Sequence, residues 1–117
     1  MADNWYSGNA NEDASDYRGW LLGHFIGAED GVRKTPALEV KWGIHPAGQE
    51  RAEWVTGEER TTLLLLVRGR FRIDLSVGST VLAREGDYVV WGPGIDHSWH
   101  AEEDSVVVTV RWPSLTD

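Results

Sequence analysis

The fourteen residues Gly86-Asp87-Tyr88-Val89-Val90-Trp91-Gly92-Pro93-Gly94-Ile95-Asp96-His97-Ser98-Trp99 constrain the fold more than any other stretch. Gly86-Asp87 is turn chemistry. Tyr88 to Trp91 is an aromatic and β-branched run, which predicts a strand. Gly92-Pro93-Gly94 must end that strand, because proline lacks an amide donor and glycine accepts positive φ. His97 and Trp99 follow two positions apart at the start of the next extended segment. They therefore share one face of a sheet.

The rest of the chain repeats this rhythm of short strand and sharp turn. Trp20 to Ile26 predicts a first strand, and Gly27 to Gly31 a loop. Leu38 to Ile44 alternates as a second strand, and His45-Pro46-Ala47-Gly48 makes another corner. Arg51 to Val55 is a short strand and Thr61 to Val67 a clear one. Arg68-Gly69-Arg70 turns the chain into an alternating Phe71, Ile73, Leu75 strand, followed by a turn at Val77-Gly78-Ser79. Val81 to Ala83, Tyr88 to Trp91, His97 to Ala101 and Val106 to Trp112 complete the set. No segment carries a helical period. Many short strands with turn signals between them predict an all-β sandwich or barrel, with Leu64, Leu66, Phe71, Ile73, Tyr88 or Val89, and Val108 in its core.

Composition narrows the partners. The chain has 117 residues, enough for one domain, and carries 11 basic against 19 acidic residues, a net charge of −8. Such a field repels phosphate backbones and anionic lipid surfaces, so neither nucleic acid nor membrane is an expected partner. Asp3, Glu12, Asp13 and Asp16 all precede the first basic residue, Arg18. Residues 1–16 are thus an acidic leader, expected to be mobile, and residues 17–117 a single barrel domain. There is no cysteine, which excludes disulfides and thiolate ligands and suits a reducing compartment. No basic and apolar N-terminal signal is visible, and the run Leu63 to Val67 is too short to span a bilayer. The expected setting is cytoplasmic. Seven tryptophans predict a large apolar interior or an aromatic-lined pocket.

The order of glycine, strand, Pro-Gly corner and histidine resembles the second conserved motif of the cupins, on Gly86, Asp87, Pro93, Gly94 and His97. That resemblance implies a cupin-type double-stranded β-helix, a jelly-roll barrel with little helix, in which His97 faces the interior and usually binds a metal. The cupins' first motif carries two histidines, a glutamate and a closing glycine. Gly69 matches the glycine. Counting back from it sets Thr62 at the glutamate position and Thr56 and Glu58 near the histidines. Counting forward from Pro46-x-Gly48 sets Trp54 and Thr56 at the histidine positions instead. The two counts disagree by about two residues, and neither recovers a usual ligand.

Transition metals need several N or O ligands converging from different strands. One histidine with threonines and a tryptophan is a poor cage, so no tightly bound metal is expected. If a divalent transition metal binds, His97, Glu53 and His45 are its candidate ligands. Otherwise Glu53 and Glu58 are expected to be solvated, as is Arg111, His45 to be structural or exposed, and His24 and His100 to lie outside the site. The ligand-binding candidates are His97, Trp99, Trp54 and Thr62, because tryptophans offer broad faces with an N–H handle. Trp91 and Trp112 are expected to fill the barrel.

Three functions remain open at this point. One is binding of a small molecule without tight metal. The second is a metal-independent isomerase, cyclase or lyase with His97 as general acid or base. The third is a metal-dependent oxygenase or isomerase with atypical ligands. Thr61-Thr62-Leu63-Leu64-Leu65-Leu66-Val67 does not alternate, so an inward Thr62, Leu64 and Leu66 leaves Leu63, Leu65 and Val67 outward. Either the strand Trp20 to Ile26 covers that face or a second subunit does. The expectation is a homodimer.

Overall fold

A computed structural model describes residues 4–114. Nine strands run in chain order: β1 (Trp20–Leu22), β2 (Glu39–His45), β3 (Glu50–Val55), β4 (Thr61–Arg68), β5 (Phe71–Leu75), β6 (Gly78–Leu82), β7 (Tyr88–Trp91), β8 (His97–Ala101) and β9 (Ser105–Trp112). They form two antiparallel sheets. One has the order β1-β2-β9-β4-β7 and the other β3-β8-β5-β6. This is the expected jelly-roll barrel. Among the described residues, no helix is long and apolar enough to cross a membrane.

Alternation explains most of the architecture. In β4, Thr62, Leu64 and Leu66 are buried while their neighbours are half-exposed. Facing them, β5 buries Phe71 and Ile73. With Leu82, Trp91, Ala101 and Val107 these residues make one core between the sheets. The hinge between β4 and β5 depends on Gly69. Its φ is +106°, and a Cβ there would sit 2.4 Å from the Asp104 carbonyl and 2.7 Å from Ser105 Cα. Only glycine fits that backbone and that approach.

The organising stretch forms as its residues dictate. The Asp87 carboxylate accepts the amides of Ala83 and Arg84, both at 3.0 Å, and closes the turn into β7. The Gly86 amide donates to Leu66 O and the Leu66 amide to Asp87 O, so the turn is stitched to β4. Beyond β7, the Gly94 amide donates to Glu58 O at 2.9 Å, and the Ser76 amide to Asp96 O at 2.9 Å. The Pro93-Gly94 corner is thereby pinned at both ends, which fixes where His97 enters β8.

Several expectations need correction. The first strand stops at Leu22, because Gly23 lies in an irregular turn paired with Lys34. Residues Ala28–Arg33 form 3-10 turns rather than an open loop. β6 begins at Gly78, inside the expected turn. In β9 the inward valine is Val107, not Val108: Val107 pairs with Leu66 on the core face, and Val108 pairs with Leu65 on the outer face. Tyr88 is 62% exposed, so Val89 is the residue of that pair that packs on the core. The leader carries a short α1 helix (Ala10–Asp13), capped by the Asn9 side chain on the Asn11 amide, and a 3-10 turn over Ala14–Tyr17. Asn11 Oδ1 accepts from Trp42 Nε1 at 2.8 Å, which holds this segment against β2. Residues 1–3 of the leader lie outside the described residues.

Candidate functional site

The barrel interior holds a cavity of about 260 Å³. Its walls follow from strand parity. β2 contributes Lys41, Gly43 and His45. β9 contributes Val107, Thr109 and Arg111, and β4 contributes Thr62 and Leu64. Trp91 comes from β7, His97 and Trp99 from β8, Phe71 and Ile73 from β5, and Arg51 and Val55 from β3. Trp20 closes one end. The cavity shares Lys41, Gly43, His45, Arg51 and Trp99 with an outer vestibule of about 650 Å³ between β2, β3 and the leader. Here β2 runs past the end of short β1, so the sheet edge is open and the interior is reached from the side.

Of the residues singled out in the sequence, His97, Trp99, Thr62 and His45 come together in this cavity. Trp54 and Glu53 do not. Both are exposed on β3, and neither lines the cavity. For Glu53 the reason is a bulge: Arg51 pairs with Trp99 and Val55 with His97, so four residues of advance on β3 match two on β8. These two extra residues equal the disagreement between the counts from Pro46-x-Gly48 and from Gly69. Trp54 is displaced by alternation: it is the neighbour of Val55, which lines the cavity, so its side chain points to the other face.

His45, expected to be structural or exposed, lines the cavity. Its ring packs 4.6 Å from Trp99 and 5.3 Å from Phe71, centroid to centroid. Nδ1 lies 2.5 Å from Gln49 Oε1, which leaves Nε2 over Gly43 in the interior. Burial pushes its pKa below 6.5, and the Lys41 ammonium pushes the same way against the Gln49 hydrogen bond. His97 packs 4.8 Å from Trp91. Burial also lowers its pKa, with Arg51 and Arg111 adding to the effect. Both rings are therefore neutral bases at physiological pH. His24 Nδ1 meets Ser114 Oγ at 2.8 Å, and His100 pairs with Glu50 on the opposite face from His97.

Sequence reasoning missed three groups. Trp91 is 6% exposed and forms a wall of the cavity. Arg111 is turned inward rather than solvated. Its Nε donates to Glu39 Oε2 at 2.8 Å, its Nη2 bonds the same oxygen, and its guanidinium lies 4.8 Å from the Trp20 ring centre. Behind it, Glu39 is 1% exposed and also bonds Arg60 Nη1 at 2.9 Å and Ser114 Oγ at 3.1 Å. Glu58 completes the cluster through Arg60, which holds its carboxyl down at about 2. The parity of β2 and β9 carried this signal: Glu39 and Lys41, and Thr109 and Arg111, fall on the face of Val107.

Three buried side-chain atoms at the cavity lack a hydrogen-bond partner in the protein: Thr62 Oγ1, Trp91 Nε1 and His97 Nδ1. Thr62 and Trp91 are cross-strand partners, and Trp91 touches His97, so the three atoms belong to one neighbourhood. The residues present do not fit the metal that the cupin resemblance implies. Among the described residues no three His, Asp or Glu side chains converge. With Glu53 on the outside, the set His97, Glu53 and His45 is not assembled.

No protein-family model matches the chain, and no curated protein matches it. Solved structures do. The chain is similar to KdgF from Halomonas sp., at 25% identity, covering 68% of this chain and 72% of that one with a TM-score of 0.60. It is similar to an RmlC-like cupin from Shewanella frigidimarina NCIMB 400, at 18% identity, 68% of each chain and a TM-score of 0.61. It is similar also to a conserved protein with a double-stranded β-helix domain from Klebsiella pneumoniae, at 21% identity, 71% of this chain and 69% of that one, with a TM-score of 0.61. The architecture is that of the small cupins.

Proposed function

We propose that this cupin-fold protein binds a small molecule inside the barrel without a tightly held metal. The observation that carries this reading is the trio of unpartnered buried atoms, Thr62 Oγ1, Trp91 Nε1 and His97 Nδ1, set beside a cavity walled by Trp99 and Phe71. Buried polar groups without partners cost roughly 1–3 kcal/mol each, so a fold that only needed a filled core would be expected to replace them with apolar side chains. A flat, partly polar ligand meets both the aromatic walls and the stranded donors. The cavity lies just under the ~300–1,000 Å³ common for ligand pockets, which calls for a small ligand. The test is fragment binding followed through the imidazole resonances of His45 and His97. Binding that shifts both, and is lost in Trp99→Ala and His97→Ala variants with intact circular dichroism, supports the reading. Binding that moves neither resonance places the site elsewhere.

A second reading rests on the two neutral histidines. His97 and His45 line one cavity and both are held below 6.5. A general base needs this state, and metal-free isomerisation, cyclisation or elimination is the chemistry it serves. Conversion of a bound ligand that stops in His97→Gln, in protein shown by elemental analysis to hold no stoichiometric metal, selects the enzyme. Tight binding without turnover selects the binding protein.

A further inference from the structure

The charge lining the cavity is opposite to the charge of the chain. The protein is at −8, yet Lys41, Arg51 and Arg111 line the interior and no carboxylate does. The ion pairs behind the wall do not cancel all three. Glu39 and Glu58 neutralise Arg111 and Arg60. Lys41 and Arg51 make no ion pair among the described residues, which leaves two positive charges unanswered, Lys41 in the wall and the exposed Arg51 where cavity and vestibule meet. Lys41 is half-buried, with its ammonium 5.5 Å from the Trp20 ring centre.

Cations placed like this destabilise one another unless something answers them. Burial lowers the Lys41 pKa, and Arg111 and Arg51 lower it further by repulsion. A surface lysine would simply turn to water. This one is held on β2 between its partners Trp20 and Thr109, with its side chain on the interior face. The negative field of the rest of the molecule argues against nucleic acid or phospholipid as the source of the answering charge, because both would have to approach an acidic surface. A small anion entering by the side vestibule need satisfy only the local field.

We infer that the ligand is a small organic carboxylate, held by Lys41, Arg51 and the exposed edge of Arg111, with its uncharged body against Trp99 and toward Thr62 and Trp91. The inference rests on the pocket reading above and adds the chemical class. Arg111 suits the role because Glu39 fixes its plane from behind and leaves a nitrogen, Nη1, without a close acceptor: its nearest carboxylate contact is Glu58 at 4.0 Å. A guanidinium anchored on one side presents its remaining donors in fixed geometry. Lys41 and Arg51 add charge from the mouth of the cavity.

Matched pairs of probes test this. Benzoate is compared with benzamide, and succinate with succinamide, on the full chain by calorimetry and by the His45 and His97 resonances. The expected result is that a carboxylate binds about tenfold or more tightly than its amide, since bonds to charged groups exceed neutral ones. The preference should fall with added salt and vanish in Lys41→Met and Arg51→Met, while Val77→Ala, at an exposed turn away from the cavity, leaves it unchanged. Amides that bind as well as the acids, with the same resonances shifting, overturn the carboxylate class and leave the pocket reading standing. If no probe binds and neither histidine resonance moves, both fall.

Discussion

His97 lies 4.8 Å from Trp91 across the corner that Gly92, Pro93 and Gly94 form between them, and the two residues share an environment in which neither buried ring nitrogen has a protein partner. The corner therefore does more than turn the chain. It brings the end of β7 against the start of β8, so that the Trp91 and His97 rings pack together at one cavity, each with a buried nitrogen that has no protein partner. The hydrogen bond from Gly94 to Glu58 ties that corner to the loop holding Arg60, and hence to the Glu39 cluster behind Arg111.

Gly43 controls how much of the cavity is open. A Cβ at this position would sit 2.7 Å from His45 Nε2 and 3.3 Å from Val107 Cγ2. Gly43→Ala is expected to push the His45 ring out of place and narrow the link between cavity and vestibule. Overpacking of this kind costs about 1–3 kcal/mol. The expected result is a lower melting temperature, a displaced His45 resonance and weaker fragment binding. Unchanged binding in Gly43→Ala would show that ligands do not pass His45.

The buried cluster predicts a larger loss. Glu39→Ala leaves Arg111 and Arg60 without their shared partner and Ser114 Oγ without its acceptor. Removing one member of a buried ion pair costs about 3–5 kcal/mol, because the remaining charge is left uncompensated. Urea denaturation of Glu39→Ala is expected to show a loss of that size, with Glu39→Gln intermediate. A loss below about 1 kcal/mol would mean that water reaches the cluster and replaces the carboxylate.

Acid should act through Glu58 and the histidines in sequence. Glu58 is held at about 2 instead of its ordinary 4.5, chiefly by its hydrogen bonds from Arg60. The folded state therefore binds this proton less readily than the unfolded chain. Its contribution is complete above pH 4.5 and is lost as the pH falls toward 2. His45 and His97 are lowered from 6.5, chiefly by burial, so the unfolded chain takes up their protons first and stability begins to decline below 6.5. Glu58→Gln is expected to be less stable at neutral pH and to flatten the decline between 4.5 and 2. A profile parallel to the wild type in that range would show that the Arg60 contact carries no net stability.

Much of this was readable in the chain, and the exceptions have physical causes. β5 and β7 appear where alternation and turn residues put them, because each has one wet and one dry face, and β8 begins where the Pro93-Gly94 corner sets it. The apolar triplet Val106-Val107-Val108 has no such contrast, and its parity is settled only by pairing with β4. That His97, Trp99 and Thr62 face the cavity was legible through one motif and one strand. Lys41, Arg51 and Arg111 were not, because a charged residue in a strand is ordinarily read as facing water. Trp54 was misplaced because it neighbours the inward Val55 and so falls on the outer face of β3, while the bulge in that strand is what sequence spacing cannot count. The charge pattern that suggests a ligand was therefore hidden by the rule that finds strands.

The outer face of the five-stranded sheet carries the last prediction. Its cross-strand rows read Trp42, Val108, Leu65, Tyr88 and Val40, Val110, Leu63, Val90. Neither row contains a charge. The strand considered as a cover does not serve: β1 lies beside β2 in the plane of the sheet. The leader reaches only the near edge, where Asn11 bonds Trp42 and Tyr6 and Ala10 share a groove with Val40. Tyr88 stays 62% exposed and Val90 46%, with Leu63 and Leu65 half-buried. Burying a side chain of this size is worth roughly 1.5–3 kcal/mol. We predict that a second copy covers these rows, because uncharged rows bring no like charges into contact and a two-fold axis sets each row against its equivalent. Sedimentation should give about twice 13.1 kDa. Leu65→Glu should convert the dimer to a folded monomer, since Leu65 lies outside the core, and Leu65→Ala should weaken it. A wild type that stays monomeric at high micromolar concentration, with Leu65→Glu as stable as the parent, would show that this face needs no cover.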